Sequence, residues 1–239
     1  MAEGTSAGRP PAGGYDPVLF DLDGTVVDTV ELIVDSFRHA TRTVLGVALP
    51  DEVITAGVGR PLMEQMRRLS PERAEELYRV YREYNHRRHD ELIREYEGVR
   101  EMLDALRAAG RRLGIVTSKS ADTAAMAFRA VDLGDRFDAV VTASDTAAHK
   151  PSPQPLLLCL ERLGASPGGA LYVGDSPVDI EAGRAAGMAT AAVSWGVFSR
   201  EDLLAARPDH WVESPAELLA LCLGQETPAG RDRRGDEGG

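Results

Sequence analysis

Two carboxylates stand one residue apart in the stretch VLFDLDGTVVD, Val18 to Asp28: Asp21 and Asp23, followed by Gly24 and Thr25. Val18, Leu19 and Phe20 are a short apolar run of the kind that forms a buried strand, so the acids fall where that strand leaves the core. Three more polar clusters follow predicted strands: TSK at 117–119, HKP at 149–151 and GDSPVD at 174–179. In a parallel sheet all C-terminal strand ends lie along one edge, so clusters far apart in sequence converge there. Convergence brings together Asp21, Asp23, Asp175 and Asp179, with Thr117 and Lys150. Carboxylates crowded in one crevice repel unless some are protonated or a cation joins them. An all-oxygen donor set favours Mg2+, which keeps waters and takes phosphate oxygens as further ligands. A lysine, a hydroxyl and backbone N–H groups supply what a phosphate group needs.

The elements that must position these groups can be read from hydrophobic spacing. Val99, Met102, Leu103 and Leu106 form a helical stripe that Gly110 ends. LGIVTS (113–118) is expected as a buried strand, then a helix over 122–131 and a strand FDAVVTA (137–143). A helix over 153–163, a strand ALYVGD (170–175), a helix over 178–186 and a strand TAAVSW (190–195) continue the alternation. Ser214-Pro215-x-Glu217 is a capping box that opens a last helix. Strand alternating with helix, the strands almost wholly apolar, implies an α/β fold with a parallel sheet covered on both faces. Residues 29–94 carry no strand pattern. Asp28 and Glu31 read as a capping pair for a helix with the stripe Val30, Ile33, Val34, Phe37 and Val44, and Ser70-Pro71 reads as the start of another long helix. An all-helical segment therefore interrupts the sheet after its first strand. Residues 1–15 and 224–239 are rich in Gly, Pro and charge and are expected as disordered tails.

Composition limits the partners. Hydrophobic residues are 43% and charged residues 27%, the balance of a globular protein. A net charge of −11 argues against nucleic acid or an anionic membrane, so an anionic substrate needs positive charge supplied locally. No apolar run approaches the roughly 18 residues of a membrane span. The first residues, MAEGTSAGRPPAGG, lack the apolar core of a secretory signal. Cys159 and Cys222 each lie in an apolar helical pattern, as buried free thiols in a reducing cytoplasm would. The chain has 25 Arg but only two Lys, Lys119 and Lys150. Lysine retained against that bias suggests a place for a compact point charge rather than a planar fork.

The four clusters, their order and the helical segment after the first of them resemble the haloacid dehalogenase superfamily of phosphotransferases, in the subfamily with a helical cap. The likeness covers roughly residues 17–223. YREYNHRRHDELIREYEGV (81–99), together with GIVTSK, VVTASDTAAHKPSPQPL and VSW further on, is similar to the inorganic pyrophosphatases associated with HPr kinase, whose near relatives are phosphoglycolate phosphatases. The resemblance implies a Rossmann-like doubly wound core over 16–28 and 95–223, with an inserted all-helical cap over 29–94. It implies a Mg2+-dependent phosphohydrolase acting through an aspartyl-phosphate on a small anionic phosphate, pyrophosphate first and phosphoglycolate or another small monoester as the alternative. Asp21 would be the nucleophile, and Asp23 the general acid and then the base. Asp21, the backbone carbonyl of Asp23 and Asp175 would hold the metal, and Asp179 would support that shell. Thr117 and Lys150 would bind the transferring phosphoryl group. Gly24, Ser118 and Arg60, the last in the cap loop GVGRP (57–61), would be substrate contacts.

Other chemistries are weighed by residue. A dehalogenase lacks the second motif aspartate, and a phosphonatase uses a cap lysine, whereas 29–94 contain no Lys. A phosphomutase has no specific support. A phospho-switch of the response-regulator type also uses Asp, metal, Thr and Lys, but Asp23 would promote the hydrolysis that a switch must avoid. No GxxxxGK[ST] loop occurs. His86 and His89 are three apart, a spacing metal ligands use, but no Cys or third His is near, and a polar cap surface or substrate contact is the preferred reading. Tyr78, Tyr81 and Tyr84 read as packing, and Lys119 as a solvated residue at a helix start. The oligomeric state is not legible.

Overall fold

The computed structural model describes residues 11–225. In chain order the elements are β1 (Val18–Phe20), β2 (Val27–Asp28), α1 (Val30–Leu45), α2 (Asp51–Thr55), α3 (Leu62–Leu69), α4 (Ala74–Leu92), β3 (Arg94–Glu95), α5 (Val99–Ala108), β4 (Leu113–Val116), α6 (Ala121–Val131), β5 (Ala139–Val141), α7 (Gln154–Arg162), β6 (Leu171–Gly174), α8 (Pro177–Ala185), β7 (Ala189–Val193), α9 (Arg200–Ala205), β8 (His210–Val212) and α10 (Pro215–Cys222).

β1, β4, β5, β6, β7 and β8 form one sheet in the order β5-β4-β1-β6-β7-β8, and every neighbouring pair is parallel. The chain winds outward from β1 to β5, then returns to the other side of β1 and winds outward again. That is a doubly wound sheet with its switch point at the end of β1. Side chains alternate along β1. Val18 and Phe20 join the core cluster that includes Met102 and Leu106 of α5 and Ala124 of α6, while Leu19 joins Leu156 and Cys159 of α7 and Ala182 of α8. Both faces are thus covered, as strands apolar on both sides require.

α1 to α4 have a buried cluster of their own, with Val34, Phe37, Val44, Ile54, Met66, Leu77 and Tyr81. Phe37 and Tyr81 meet edge to face with ring centroids 4.9 Å apart, tying α1 to α4. β2 and β3 pair antiparallel, Val27 with Glu95 and Asp28 with Arg94, where the chain enters and leaves this helical stretch. No helix among the described residues is long and apolar enough to cross a membrane.

Several local expectations need correction. Asp28 and Glu31 do not form a capping pair. Thr29 is the N-cap of α1, and Asp28 Oδ1 accepts from the Val30 N–H at 3.1 Å. Ser70-Pro71 opens a single 3-10 turn, Pro71–Arg73, before α4. Ser214 does accept from the Glu217 N–H, but the Glu217 carboxylate accepts from Glu213 rather than from the cap backbone. α9 and the edge strand β8 were not expected, because His210-Trp211-Val212 is too short to show a period. Residues 11–15, expected as part of the first tail, belong to the described structure. Tyr15 is buried, its N–H donates to Cys222 O at 2.9 Å and its hydroxyl lies 2.8 Å from His210 Nε2. The rest of both expected tails, 1–10 and 226–239, lies outside the described residues.

Candidate active site

Asp21, Thr117 and Asp175 each follow the last residue of a strand, β1, β4 and β6, and these strands are neighbours at the switch point. Backbone bonds extend the sheet by one residue there: Asp21 N–H donates to Val173 O and Thr117 N–H to Val141 O, both at 2.9 Å. The sheet therefore sets the spacing of these groups before any side chain acts.

Asp21, Asp175 and Asp179 are buried, with carboxylate oxygens within 4.8 Å of one another. Lys150 Nζ lies 2.6 Å from Asp179 Oδ1 and 2.9 Å from Asp21 Oδ1. The contact with Asp21 is an ion pair out of line for a hydrogen bond, so Asp21 Oδ1 is a buried oxygen without a hydrogen-bond donor. Lys150 also donates to the Tyr172 hydroxyl at 3.2 Å, and that hydroxyl lies 3.2 Å from Asp179 Oδ1 and 3.1 Å from Val116 O. Asp179 Oδ2 accepts from the N–H and hydroxyl of Ser176, closing the first turn of α8. Asp179 is thereby fully engaged, and it orients Lys150.

Three carboxylates against one ammonium leave excess negative charge. Burial pushes Asp21 up to about 7, against the opposing Lys150 charge and with Asp179 and Asp23 adding to the rise. Burial likewise raises Asp175 well above the usual carboxylate range, and Asp179 and Asp21 reinforce it. For Lys150, burial works against the charge, but Asp179 and Asp21 outweigh it and hold the ammonium protonated. A buried oxygen lacking a donor, an all-oxygen donor set and uncompensated charge fit a hard divalent cation at Asp21 and Asp175.

The Asp175 carboxylate is gripped by backbone. A Cβ on Gly24, whose φ is +75°, or on Gly196 would overlap it. Val197 N–H donates to its Oδ2 at 3.1 Å, and the Thr25 hydroxyl reaches its Oδ1 at 3.4 Å. Trp195 Nε1 donates to Thr25 O at 3.0 Å, joining the loop after β7 to the loop after β1.

Asp23 stands in a different network. Its Oδ1 accepts from the Thr29 hydroxyl at 2.7 Å and pairs with Lys119 Nζ at 2.8 Å, and its carboxylate is not part of the acidic cluster. Both Asp21 and Asp23 face one cavity of about 240 Å³, whose far wall comes from the helical stretch and includes Phe37, Arg60, Tyr81 and Arg82. Arg60 pairs with Glu64 at 3.3 Å, and Arg82 pairs with Asp122 of α6. The Ser118 hydroxyl donates to Gly59 O at 2.6 Å, so Ser118 fastens the sheet edge to the loop before α3. Thr117 Oγ1 accepts from the Lys119 N–H at 3.2 Å.

Of the residues named from sequence, Asp21, Asp23, Arg60 and Ser118 line this cavity, Gly24 and Asp175 line a small neighbouring pocket with Asp23, and Thr117, Lys150 and Asp179 line neither. His86 lines it beside Arg82, while buried His89 pairs with Asp90, and neither joins the group of metal-capable residues. Tyr78 and Tyr81 also line the cavity, which packing alone did not suggest. Lys119 was read as solvated and instead pairs with Asp23. The signal that pointed to it was the rarity of lysine in this chain.

A doubly wound sheet with an acid–lysine cluster at its switch point defines an α/β enzyme that works at the strand ends. Residues 18–193 match the family of haloacid dehalogenase-like hydrolases, and the chain belongs to that family. It is 42% identical to the pyrophosphatase PpaX of Bacillus velezensis over 204 residues, 85% of this chain and 94% of the relative. Among solved structures it is similar to a haloacid dehalogenase-like hydrolase from Bacteroides fragilis, with TM-score 0.79 and 27% identity over 85% of this chain and 99% of that one. It is also similar to a Lactobacillus plantarum protein assigned as a phosphoglycolate phosphatase, with TM-score 0.78 and 25% identity over 87% and 99%. These likenesses bear out the family and fold expected from the motifs.

Proposed function

We propose that this protein is a Mg2+-dependent phosphohydrolase acting on inorganic pyrophosphate, with phosphoglycolate or another small phosphomonoester as the second substrate class. The observation that carries the reading is the separation of two acids on one cavity. Asp21 sits with Lys150 among carboxylates, and Asp23 sits apart with Lys119 and Thr29. Asp21 attacks phosphorus, and the bond from phosphorus to the leaving oxygen breaks as Asp23 gives that oxygen a proton. Asp23, now a carboxylate, takes a proton from water, whose oxygen attacks the aspartyl-phosphate and frees Asp21. Lys150 and Thr117 hold the phosphoryl oxygens. Asp21, Asp175 and the Asp23 carbonyl would hold the metal, with Asp179 orienting the site through Lys150 and Ser176. When bound, Mg2+ supplies charge that lets the crowded acids and the phosphate coexist. Gly24 leaves room for Asp175, while Ser118 and Arg60 shape the substrate side.

Residues 29–94 act as the cap that selects substrate, over a core of 16–28 and 95–223. Pyrophosphate is favoured by the PpaX relative. The cytoplasm is the compartment we propose, on two free buried thiols, Cys159 and Cys222. With Mg2+, the purified protein should release phosphate from pyrophosphate over many turnovers, in a panel that includes phosphoglycolate and sugar phosphates. A stable phosphoprotein without turnover would instead favour the phospho-switch.

A second expected outcome concerns metal and pH. Asp21 is raised from 3.8 to about 7, so the folded state favours its neutral form. In metal-free protein this group's contribution to stability falls as pH rises from the ordinary aspartate range through about 7. Divalent metal needs the deprotonated carboxylates and reverses that trend. The rise in Tm on adding Mg2+ should therefore be larger at pH 8 than at pH 6, and calorimetry showing equal rises would remove Asp21 from the metal site.

A further inference from the structure

We propose that Lys119 binds the leaving group and selects substrates in which that group is itself a phosphate; this rests on the phosphohydrolase reading above. Against 25 arginines the chain keeps two lysines, and each meets one of the paired acids: Lys150 meets Asp21 at 2.9 Å and Lys119 meets Asp23 at 2.8 Å. Their surroundings differ. The Lys150 side chain is 1% exposed and packed against Asp21, Asp179 and Tyr172 beside the attacking acid, whereas the Lys119 side chain is 13% exposed and faces the cavity.

An ammonium has three donors, and Asp23 takes one direction, leaving the others for a ligand. The backbone beneath is fixed on both sides: Lys119 N–H donates to Thr117 Oγ1 at 3.2 Å, and Lys119 O accepts from Ala143 N–H at 2.8 Å. The charge is therefore placed before substrate arrives. Arg60 and Arg82, the cations on the far wall, are already paired with Glu64 and Asp122.

Proton transfer from Asp23 requires the leaving oxygen within hydrogen-bond reach of its carboxylate. Lys119 contacts that same carboxylate, so atoms attached to the leaving oxygen fall beside its ammonium. An alcohol leaves neutral once protonated and gains little from a cation. A phosphate leaves with further anionic oxygens, and its charge grows as the bond to phosphorus breaks. Lys119 thus stabilises the transition state of an anhydride more than that of a monoester.

The test compares kcat/KM for pyrophosphate with that for phenyl phosphate, whose leaving group carries no second phosphate, in wild type, Lys119→Met and Lys119→Arg, with Tm as the folding control. In Lys119→Met the ratio of pyrophosphate to phenyl phosphate should fall by about a hundredfold or more, the scale of one lost transition-state donor. Lys119→Arg keeps the charge and should recover most of the ratio. If Lys119→Met does not fold, a Lys119→Gln variant gives the same comparison. Equal losses on both substrates would overturn the proposal, leaving Lys119 as a support for Asp23. A wild type active on phenyl phosphate but inactive on pyrophosphate rejects the pyrophosphate reading and this proposal with it, whereas an active wild type with an unchanged ratio in the variant rejects Lys119 alone.

Discussion

Asp21→Asn abolishes phosphate release, by about 10⁴-fold or more, the scale seen when a covalent nucleophile is removed. The amide matches the carboxylate in shape but has no anionic oxygen to attack phosphorus. The variant folds, and the physical reason is specific to this cluster. Asp21 is buried, its Oδ1 lacks a donor, and its charge stands beside Asp175 and Asp179 with Lys150 as the one cation of the cluster. Removing that charge relieves repulsion, and Lys150 keeps Asp179 at 2.6 Å. The metal-free variant is therefore at least as stable as wild type above pH 7, the value near which Asp21 titrates. Phosphate release at saturating Mg2+ and thermal unfolding without metal, measured on one preparation, check both halves. Full activity would sink the nucleophile assignment.

Lys150→Met acts in the opposite direction on stability. The side chain is almost wholly enclosed, and its loss leaves Asp21, Asp175 and Asp179 without a cation. Breaking a buried ion pair from one side costs about 3–5 kcal/mol, because the remaining charge has no compensation. Urea unfolding at pH 8 should show that loss, and activity should disappear with it. The deficit should shrink at pH 5.5, where Asp21 and Asp175, both raised by burial, take up protons and need the ammonium less. A deficit independent of pH would mean that Lys150 supports the fold by packing alone. Lys150→Arg should not rescue. The planar guanidinium must enter a space bounded by Asp21, Asp179, the Tyr172 hydroxyl and the Val116 carbonyl, all within 3.5 Å of the ammonium.

The chemistry was legible in sequence because strand ends are. Short apolar runs followed by polar clusters mark where a parallel sheet delivers its side chains, so the meeting of Asp21, Thr117 and Asp175 followed from topology. What each carboxylate does after leaving its strand was not legible. Asp23 turns away from the acidic cluster because the Thr29 hydroxyl and Lys119 draw it, and neither contact has a periodic signature. Gly196 follows the apolar run 190–195 with no signal of its own in the sequence, yet it leaves the space that Asp175 occupies. Tyr172, read only as a strand residue, bridges Lys150 and Asp179 through its hydroxyl. The β2–β3 pair escaped because two residues per strand cannot display alternation.

That two-residue ribbon has an evolutionary consequence. The chain departs from the sheet at Val27–Asp28 and comes back at Arg94–Glu95, paired directly against its point of departure. Whatever lies between begins and ends at one doorway. The entropy of closing a loop grows only with the logarithm of its length, so inserts of very different size can hang from the same pair of strands at nearly the same cost to the sheet. The helical stretch is in this sense an exchangeable cassette: a lineage can replace it while the acids at the end of β1 keep their place.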